Sequence, residues 1–402
     1  MEFRAAYISY ADYGGPLIHT REFVKAFNKL VPDLITFCPY LNKNLSHERP
    51  APDTFFNKLL SYFPSGPRQL KLEFYQLRKL VRDMAKWRYF AKLYRQNNID
   101  IIVIRNDAYV IGAIIAAIKM GIPYLLETNG VLAKDKHDYV SQHYEKFSWK
   151  YSAGIFTVCE PLSNLLIHFG APRDKIRIIT NGVQLMAYQR HKGIYETLVP
   201  IEMQAKLNDK IVITYVGTFT DYHDLTSLLK GFKQSQKVVP NLRLLLVGEG
   251  KNNNRIQKLC IQLNLSNQIV FTGRVPFDTI PAYLKISDVL VLPLKQIYKE
   301  GFHGAPIKLF EYMAAARPII TTDMPSIRGI IANNAKYVPP GRDDKWAQAI
   351  IELSQDPQYR ERMGSQAYQH LIDRGYTWEE NAKQVYDFCK DILSQNNEEP
   401  SK

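Results

Sequence analysis

At 402 residues, with 46% apolar and 23% charged side chains, the chain is too long for one growing hydrophobic core and too ordinary in composition to be disordered or fibrous. Its formal net charge of +13 points to an anionic partner: a nucleic acid, an anionic lipid or a phosphorylated substrate. The four cysteines, Cys38, Cys159, Cys260 and Cys389, are far apart and share no spacing that suits zinc or a redox dithiol, which favours a reducing compartment.

The chain opens MEFRAAYISY, where Arg4 interrupts the apolar stretch and removes the hydrophobic region a secretory signal needs. The longest lipid-like stretch, Tyr109 to Ile118, is too short to span a bilayer. The expected location is the cytoplasm, with the inner face of a membrane as a peripheral setting. Glu2 to Ser9 reads as a first strand, followed by a loop through Asp12, Gly14 and Gly15 and a helix from about Leu17 to Leu30. Buried strands are predicted at Ile99–Ile104, Pro123–Glu127, Gly154–Val158 and Ile176–Thr180, with helices between them. After Asn181-Gly182-Val183 the pattern lapses for some twenty residues and restarts at Lys210–Gly217, Arg243–Gly250, Gln268–Gly273, Asp288–Pro293 and Pro318–Asp323. Short β-branched strands alternating with helices give an α/β chain of two doubly wound parallel-sheet, Rossmann-like domains, residues 1–183 and 209–375, joined by a linker at 184–208. Such domains bind ligands in a cleft beyond the carboxyl ends of their strands.

Between Arg68 and Arg95, nine basic residues face two acidic ones, Glu73 and Asp83, so about half of the excess charge lies in one segment. Leu70, Leu77, Leu80, Val81, Met84, Trp87, Phe90 and Leu93 recur there at helical spacing. The leading expectation is a stripe packed on the first domain; the alternative is a peripheral surface resting on anionic lipid. Nucleic acid is not expected as a partner, because no recognition module accompanies the charge.

The most informative stretch is GFHGAPIKLFEYMAAARPIITTD, Gly301 to Asp323. A flexible run through Gly301 and Gly304 reaches Pro306 and opens a helix from about Ile307 to Ala316, whose first amides form an anion site. Lys308 adds a positive charge in the first turn, and Glu311 suits a ribose diol. An ordinary capped helix with a solvated Lys and Glu is the alternative reading of the segment alone.

Ala305 to Pro318 resembles the donor-site helix of retaining GT-B-fold glycosyltransferases, the large group 1 family that includes bacterial polysaccharide and glycolipid synthases. YVGTF (215–219), LLLVGEG (244–250), FTGRVP (271–276), SDVLVLP (287–293) and ITNGV (179–183) occur in the family's order. The resemblance implies a UDP- or GDP-linked sugar donor, a carbohydrate or lipid-linked acceptor, retention at the anomeric carbon and no cofactor. It implies that Gly304, Ala305, Pro306 and Ile307 with Lys308 hold the diphosphate, that Glu311 binds the ribose and that Gly217, Thr218 and Phe219 line the phosphate side. Gly273, Arg274 and Val275 would lie beside the nucleobase, with a solvent-facing Arg274 as the alternative. Gly15, in the Gly-Gly pair, would let backbone approach the donor phosphate, or simply form a turn. Glu127 and Asn129, in ETNG, would face the reacting sugar from the N-terminal side, against a plain turn. A final helix, 376–395, opening Tyr-Thr-Trp-Glu, would cross back to complete the first domain and make the linker a hinge.

Two departures stand out. Many members carry two glutamates separated by seven residues, and the first falls here on His303. Many also carry an Arg and a Lys where this chain has Thr218 and His223, so Lys308 becomes the main phosphate cation, helped by Arg274 and a protonated His223. No Asp-x-Asp pair occurs, and the expectation is metal-independent transfer. A sugar-nucleotide epimerase or hydrolase of the same build, or an inactive nucleotide-sugar-binding protein, are the rival readings.

Overall fold

The structure is a computed structural model that describes residues 3–12, 14–41, 68–106, 108–133, 138–189, 192–296 and 304–398. The chain divides into two compact units, Met1–Thr180 with Trp378–Lys402, and Asn181–Thr377.

The first unit is built on a six-stranded sheet of β1 (Ala5–Ile8), β2 (Ile35–Phe37), β3 (Ile101–Arg105), β4 (Tyr124–Thr128), β5 (Gly154–Thr157) and β6 (Ile176–Ile178). Its order is β2-β1-β3-β4-β5-β6, and every pairing is parallel, with Ile8 beside Phe37 and Ile104 beside Leu126. The four central strands are buried throughout, because helices cover both faces of a parallel sheet. The second unit repeats the plan with β7 (Ile211–Val216), β8 (Leu242–Val247), β9 (Ile269–Gly273), β10 (Val289–Leu292), β11 (Ile319–Thr322) and β12 (Lys336–Val338), in the order β12-β11-β10-β7-β8-β9. Leu228, Phe232, Leu244, Val291 and Trp346 close its core. Both strand orders reverse beside the first strand of the sheet, and in such sheets ligands bind at that point, beyond the carboxyl ends.

Two strands escape the sequence pattern, β2 and β12. Each is three residues long and sits at a sheet edge, where one side of the strand needs no partner and the apolar signal is weak. The first helix runs Gly14–Phe27, three residues earlier than expected at both ends. The stretch 184–208, expected as a bare linker, holds a 3-10 turn at Leu185–Tyr188 and helices Lys192–Thr197 and Ile201–Leu207.

The basic segment forms two helices, Arg68–Met84 and Trp87–Gln96. They are anchored by Asp83, Phe90 and Tyr94, all buried. Asp83 accepts hydrogen bonds from Tyr10 Oη at 2.8 Å, Gly112 N at 3.0 Å and Lys86 Nζ at 3.0 Å. Of the stripe, Phe90 is buried and Leu80, Trp87 and Leu93 are partly buried, while Leu77, Val81 and Met84 are exposed together with Phe74, which corrects the expectation to a stripe that packs inward only in part.

The last helix, Trp378–Glu398, belongs to the first unit. Trp378 meets His19 edge-on with ring centroids 4.9 Å apart, and Asn381 Nδ2 donates to Thr180 O at 2.6 Å. The Phe388 ring lies over Gly154, where an added Cβ would also come within 2.8 Å of Leu125. Gly154→Ala is therefore expected to lower the unfolding free energy by about 1 to 3 kcal/mol, the cost of overpacking a closed core. A urea titration checks this, and an unchanged midpoint refutes it.

Candidate active site

In the second unit three turns leave the carboxyl ends of β7, β8 and β9 and lie against one another through their backbones. Gly217 N donates to Val247 O at 2.9 Å, Phe219 N to Glu249 O at 3.2 Å, and Gly248 N to Gly273 O at 3.0 Å. Gly217 has φ +144° and Gly248 φ +118°, a region that favours glycine. A Cβ on Gly248 would strike the Gly217 carbonyl, and one on Gly217 would strike Lys308 Nζ. The glycines are thus required by contact, and the space they leave is taken by a lysine.

That lysine comes from the helix Ile307–Ala314, which Pro306 opens with extended backbone. Proline lacks the N–H that a helix start leaves unpaired, and the amides of Ile307 and Lys308 have no intrahelical acceptor, whereas Leu309 N donates back to Pro306 O at 2.9 Å. Lys308 Nζ donates to His223 Nε2 at 3.2 Å and to Tyr215 Oη at 3.3 Å, and it stands 4.7 Å from the Tyr215 ring centroid. Protein surrounds the ammonium, and this desolvation pushes the Lys308 pKa down to about 7 against the opposing pull of Glu311. Burial, reinforced by the Lys308 charge, pushes His223 down to about 2. His223 is therefore neutral here, and the expectation of a protonated His223 is corrected. Accepting from Lys308 at Nε2 fixes the tautomer with its proton on Nδ1, 3.2 Å from Thr220 Oγ1.

Glu311 lies one turn beyond Lys308 and is buried. Tyr312 Oη accepts from Val216 N at 2.9 Å and ties this helix to the end of β7. Ala305 is held from the other side by Asn181, whose Nδ2 donates to its carbonyl at 2.7 Å. Gly304, Ala305, Pro306, Ile307, Lys308 and Glu311 thus form one continuous structure with Gly217, Phe219 and His223. Thr218 is exposed on the same turn, and Phe219 is fully buried beneath it, so only the backbone of Phe219 can meet a ligand. Gly273 and Val275 flank Arg274 at the end of β9, where Arg274 pairs with Glu249 at 2.8 Å with both side chains substantially exposed. His303 lies outside the described residues.

In the first unit Gly15 is exposed in the first turn of Gly14–Phe27, with open space around its Cα. Glu127, at the end of β4, is 1% exposed and receives Tyr7 Oη at 2.7 Å, His19 Nε2 at 2.8 Å, Asn129 Nδ2 at 2.6 Å, and the Arg105 guanidinium. Burial alone would raise its pKa, but the Arg105 and His19 charges outweigh it and hold the carboxylate ionised far below the usual range. A second buried acid, Glu145, accepts from Leu132 N at 2.7 Å and Ala133 N at 3.3 Å and fixes the far end of the same turn. Its pKa moves the other way, up to about 7, because burial outweighs those two bonds.

Tyr7, His19, Arg105, Glu145, Tyr215 and Asn181 were not among the residues selected from sequence. Arg105 left a trace, as a charge closing the apolar run IIVIR, and His19 lies one turn past Gly15. The others look like ordinary core or turn residues until the sheet brings them together. Among the described residues, no group of three or more His, Cys, Asp or Glu is placed to hold a metal ion. No helix among them is long and apolar enough to cross a membrane.

Comparison with known proteins agrees with this architecture. The model for glycosyl transferases group 1 matches residues 201–370, and that for Glycosyltransferase Family 4 matches residues 13–186. An uncharacterized glycosyltransferase of Methanocaldococcus jannaschii is 26% identical over 60% of this chain. The alpha-D-kanosaminyltransferase of Streptomyces kanamyceticus is 24% identical over 40% of it. The chain spans 60% and 41% of the lengths of those relatives. Among solved structures, Anabaena HepE in complex with UDP and glucose superposes with TM-score 0.71 at 14% identity, covering 97% of this chain and 100% of that one. The UDP-forming alpha,alpha-trehalose-phosphate synthase of Burkholderia vietnamiensis gives 0.74 at 12% identity, covering 98% of each. Two parallel six-stranded sheets of this kind define the GT-B fold. Within that class, the chain belongs to the group 1 glycosyltransferases.

Glu145 generates a pH prediction. A carboxyl whose folded pKa is raised from 4.5 to about 7 costs the fold nothing while protonated and progressively more as the pH rises through that window. Glu145→Gln is expected to match the wild type near pH 5 and to exceed its stability by roughly 1 to 3 kcal/mol near pH 8. Thermal melts at the two pH values check this, and an equal difference at both refutes it.

Proposed function

We propose that the protein is a retaining, metal-independent hexosyl-type glycosyltransferase, moving a sugar from a nucleotide diphosphate held by the second unit to a carbohydrate or lipid-linked acceptor. The observation that carries this reading is Lys308, which reaches from the first turn of the helix Ile307–Ala314 into the notch left by Gly217. A lysine desolvated to a pKa near neutrality beside a neutral histidine lacks the electrostatic balance a diphosphate would supply. The likeness to a fold seen elsewhere with UDP favours uridine as the base.

In this reading the bond between the anomeric carbon and the β-phosphate oxygen breaks, and its electron pair goes to that oxygen. The amides at the helix start and the Lys308 ammonium stabilise the charge as it grows. The acceptor hydroxyl attacks from the face the phosphate leaves and gives its proton to that phosphate. Glu311 takes two ribose hydroxyls as a buried acceptor.

Glu311→Gln is expected to weaken UDP binding by roughly 1 to 3 kcal/mol, the scale for hydrogen bonds to a charged acceptor. Lys308→Met is expected to cost turnover by about 10²- to 10³-fold with a smaller effect on affinity. Both are read by calorimetry and product release from UDP-sugars, with and without EDTA. Normal binding and turnover in both folded variants, or UDP binding abolished by EDTA, refutes the assignment.

The exposed face of Arg68–Met84 supports a peripheral membrane setting, since Phe74, Leu77 and Val81 are exposed on one side of a helix that also carries exposed Lys79 and Arg82. Replacing Lys79, Arg82, Arg88 and Lys92 with Gln is expected to weaken binding to phosphatidylserine vesicles by up to about 1 kcal/mol per charge. Unchanged vesicle sedimentation refutes a lipid-facing role.

A further inference from the structure

Lys308 Nζ donates to His223 Nε2 at 3.2 Å and to Tyr215 Oη at 3.3 Å, and both acceptors are uncharged groups. An ammonium carries three N–H groups, so these two bonds leave one for a ligand. Each acceptor is fixed by the turn that leaves β7. Tyr215 is fully buried and its Oη donates to Thr218 O at 3.1 Å, so what this oxygen offers Lys308 is a lone pair. His223 is driven neutral by burial and by the Lys308 charge, and its Nδ1–H lies 3.2 Å from Thr220 Oγ1, which leaves Nε2 bare. The His223 backbone is held as well: its N donates to Thr220 O at 3.3 Å, and the next amide, Asp224 N, donates to Pro293 O at 3.0 Å. A carboxylate in either place would grip the ammonium as firmly but would cancel its charge.

We propose that His223 is a positioning residue and not a phosphate ligand: with Tyr215 it seats the Lys308 ammonium through neutral acceptors, so that its charge stays whole and one N–H stays available to the donor diphosphate. This rests on the donor reading of the second unit and deepens it. The two roles give opposite signs for a cation at position 223. If His223 touched phosphate, a lysine there would strengthen donor binding. As a seat for Lys308 the position accepts only a lone pair, because a second ammonium at hydrogen-bond distance repels the first and has no acceptor to offer it.

The first measurement needs no donor: NMR of the His223 ring nitrogens in the full chain, with His223→Gln identifying the signals. A neutral ring at pH 7 with its proton on Nδ1 is expected; an imidazolium, or a proton on Nε2, overturns the proposal, since neither can accept from Lys308. The second reads UDP affinity, UDP release from UDP-glucose and the melting temperature. His223→Phe keeps a ring but removes the acceptor, and is expected to lower turnover by about tenfold or more with a smaller change in UDP affinity. His223→Gln returns a neutral acceptor and should recover most of that loss. His223→Lys should lose at least as much as His223→Phe, in affinity as well as turnover. In the Lys308→Met background His223→Phe should cost nothing further, a lack of additivity that a merely structural histidine would not produce. Should His223→Phe fail to fold, His223→Lys against His223→Gln carries the same contrast. Affinity or turnover in His223→Lys at or above the wild type, full turnover in His223→Phe, or additive losses with Lys308→Met overturns the proposal. A wild type that binds no UDP defeats the donor reading, while the ring tautomer still decides the seat by itself.

Discussion

The second unit's site depends on how closely three turns approach one another. Parallel strands deliver the ends of β7, β8 and β9 side by side, but side chains at Gly248 and Gly250 would hold the turns apart. It is there that a Cβ would strike the backbone of the neighbouring turn, while the space beside Gly217 fits one flexible cationic side chain reaching across from another helix. Lys308 fills it. Its position is therefore set by backbone packing, a far stiffer constraint than a surface ion pair would provide. Tyr312 and Asn181 act in the same sense, fastening the start and the flank of the lysine-bearing helix to main-chain groups.

The first unit solves a different problem with two buried carboxylates that sit on one turn and respond to burial in opposite ways. Glu127 has cations beside it and stays ionised; Glu145 has only amides and rises toward neutrality. The contrast follows from Coulomb attraction, since neutral dipoles at hydrogen-bond distance do not recover the hydration lost by a buried charge, whereas a guanidinium and an imidazole together do. One acid is suited to hold an orientation at any ordinary pH, and the other ties its stabilising role to the protonation state.

Much of this was legible in the sequence because it is written in local patterns. Ten of the twelve strands announce themselves as short apolar runs, and the Pro306, Lys308, Glu311 spacing marks a helix start with its charge and its acceptor. The edge strands β2 and β12 did not, since each offers three residues with one free edge, whereas β6, equally short and also at an edge, is marked by the longer apolar run Ile176–Thr180. The helix Gly14–Phe27 began early because two glycines, poor helix formers, are tolerated in its first turn. The Glu127 cluster was illegible for another reason. Its members come from positions 7, 19, 105, 127 and 129, and nothing local in any of those segments says that a buried acid must be neutralised. The neutral state of His223 was also out of reach, because it depends on burial in the folded unit and on the lysine that packs on it from 85 residues away. The outward apolar face of Arg68–Met84 has the same helical spacing as a core stripe, so periodicity alone could not tell which way it turned.

The return of the last helix to the first unit has a consequence for biosynthesis. The second unit is one uninterrupted stretch, Asn181–Thr377, and all of it is synthesised before the helix Trp378–Glu398. The first unit is made earlier but needs Trp378, Asn381 and Phe388 to cover His19, Thr180 and Gly154. The nascent chain therefore carries an N-terminal unit with an open apolar flank throughout synthesis of the unit behind it, and the order of completion is the reverse of the order of translation.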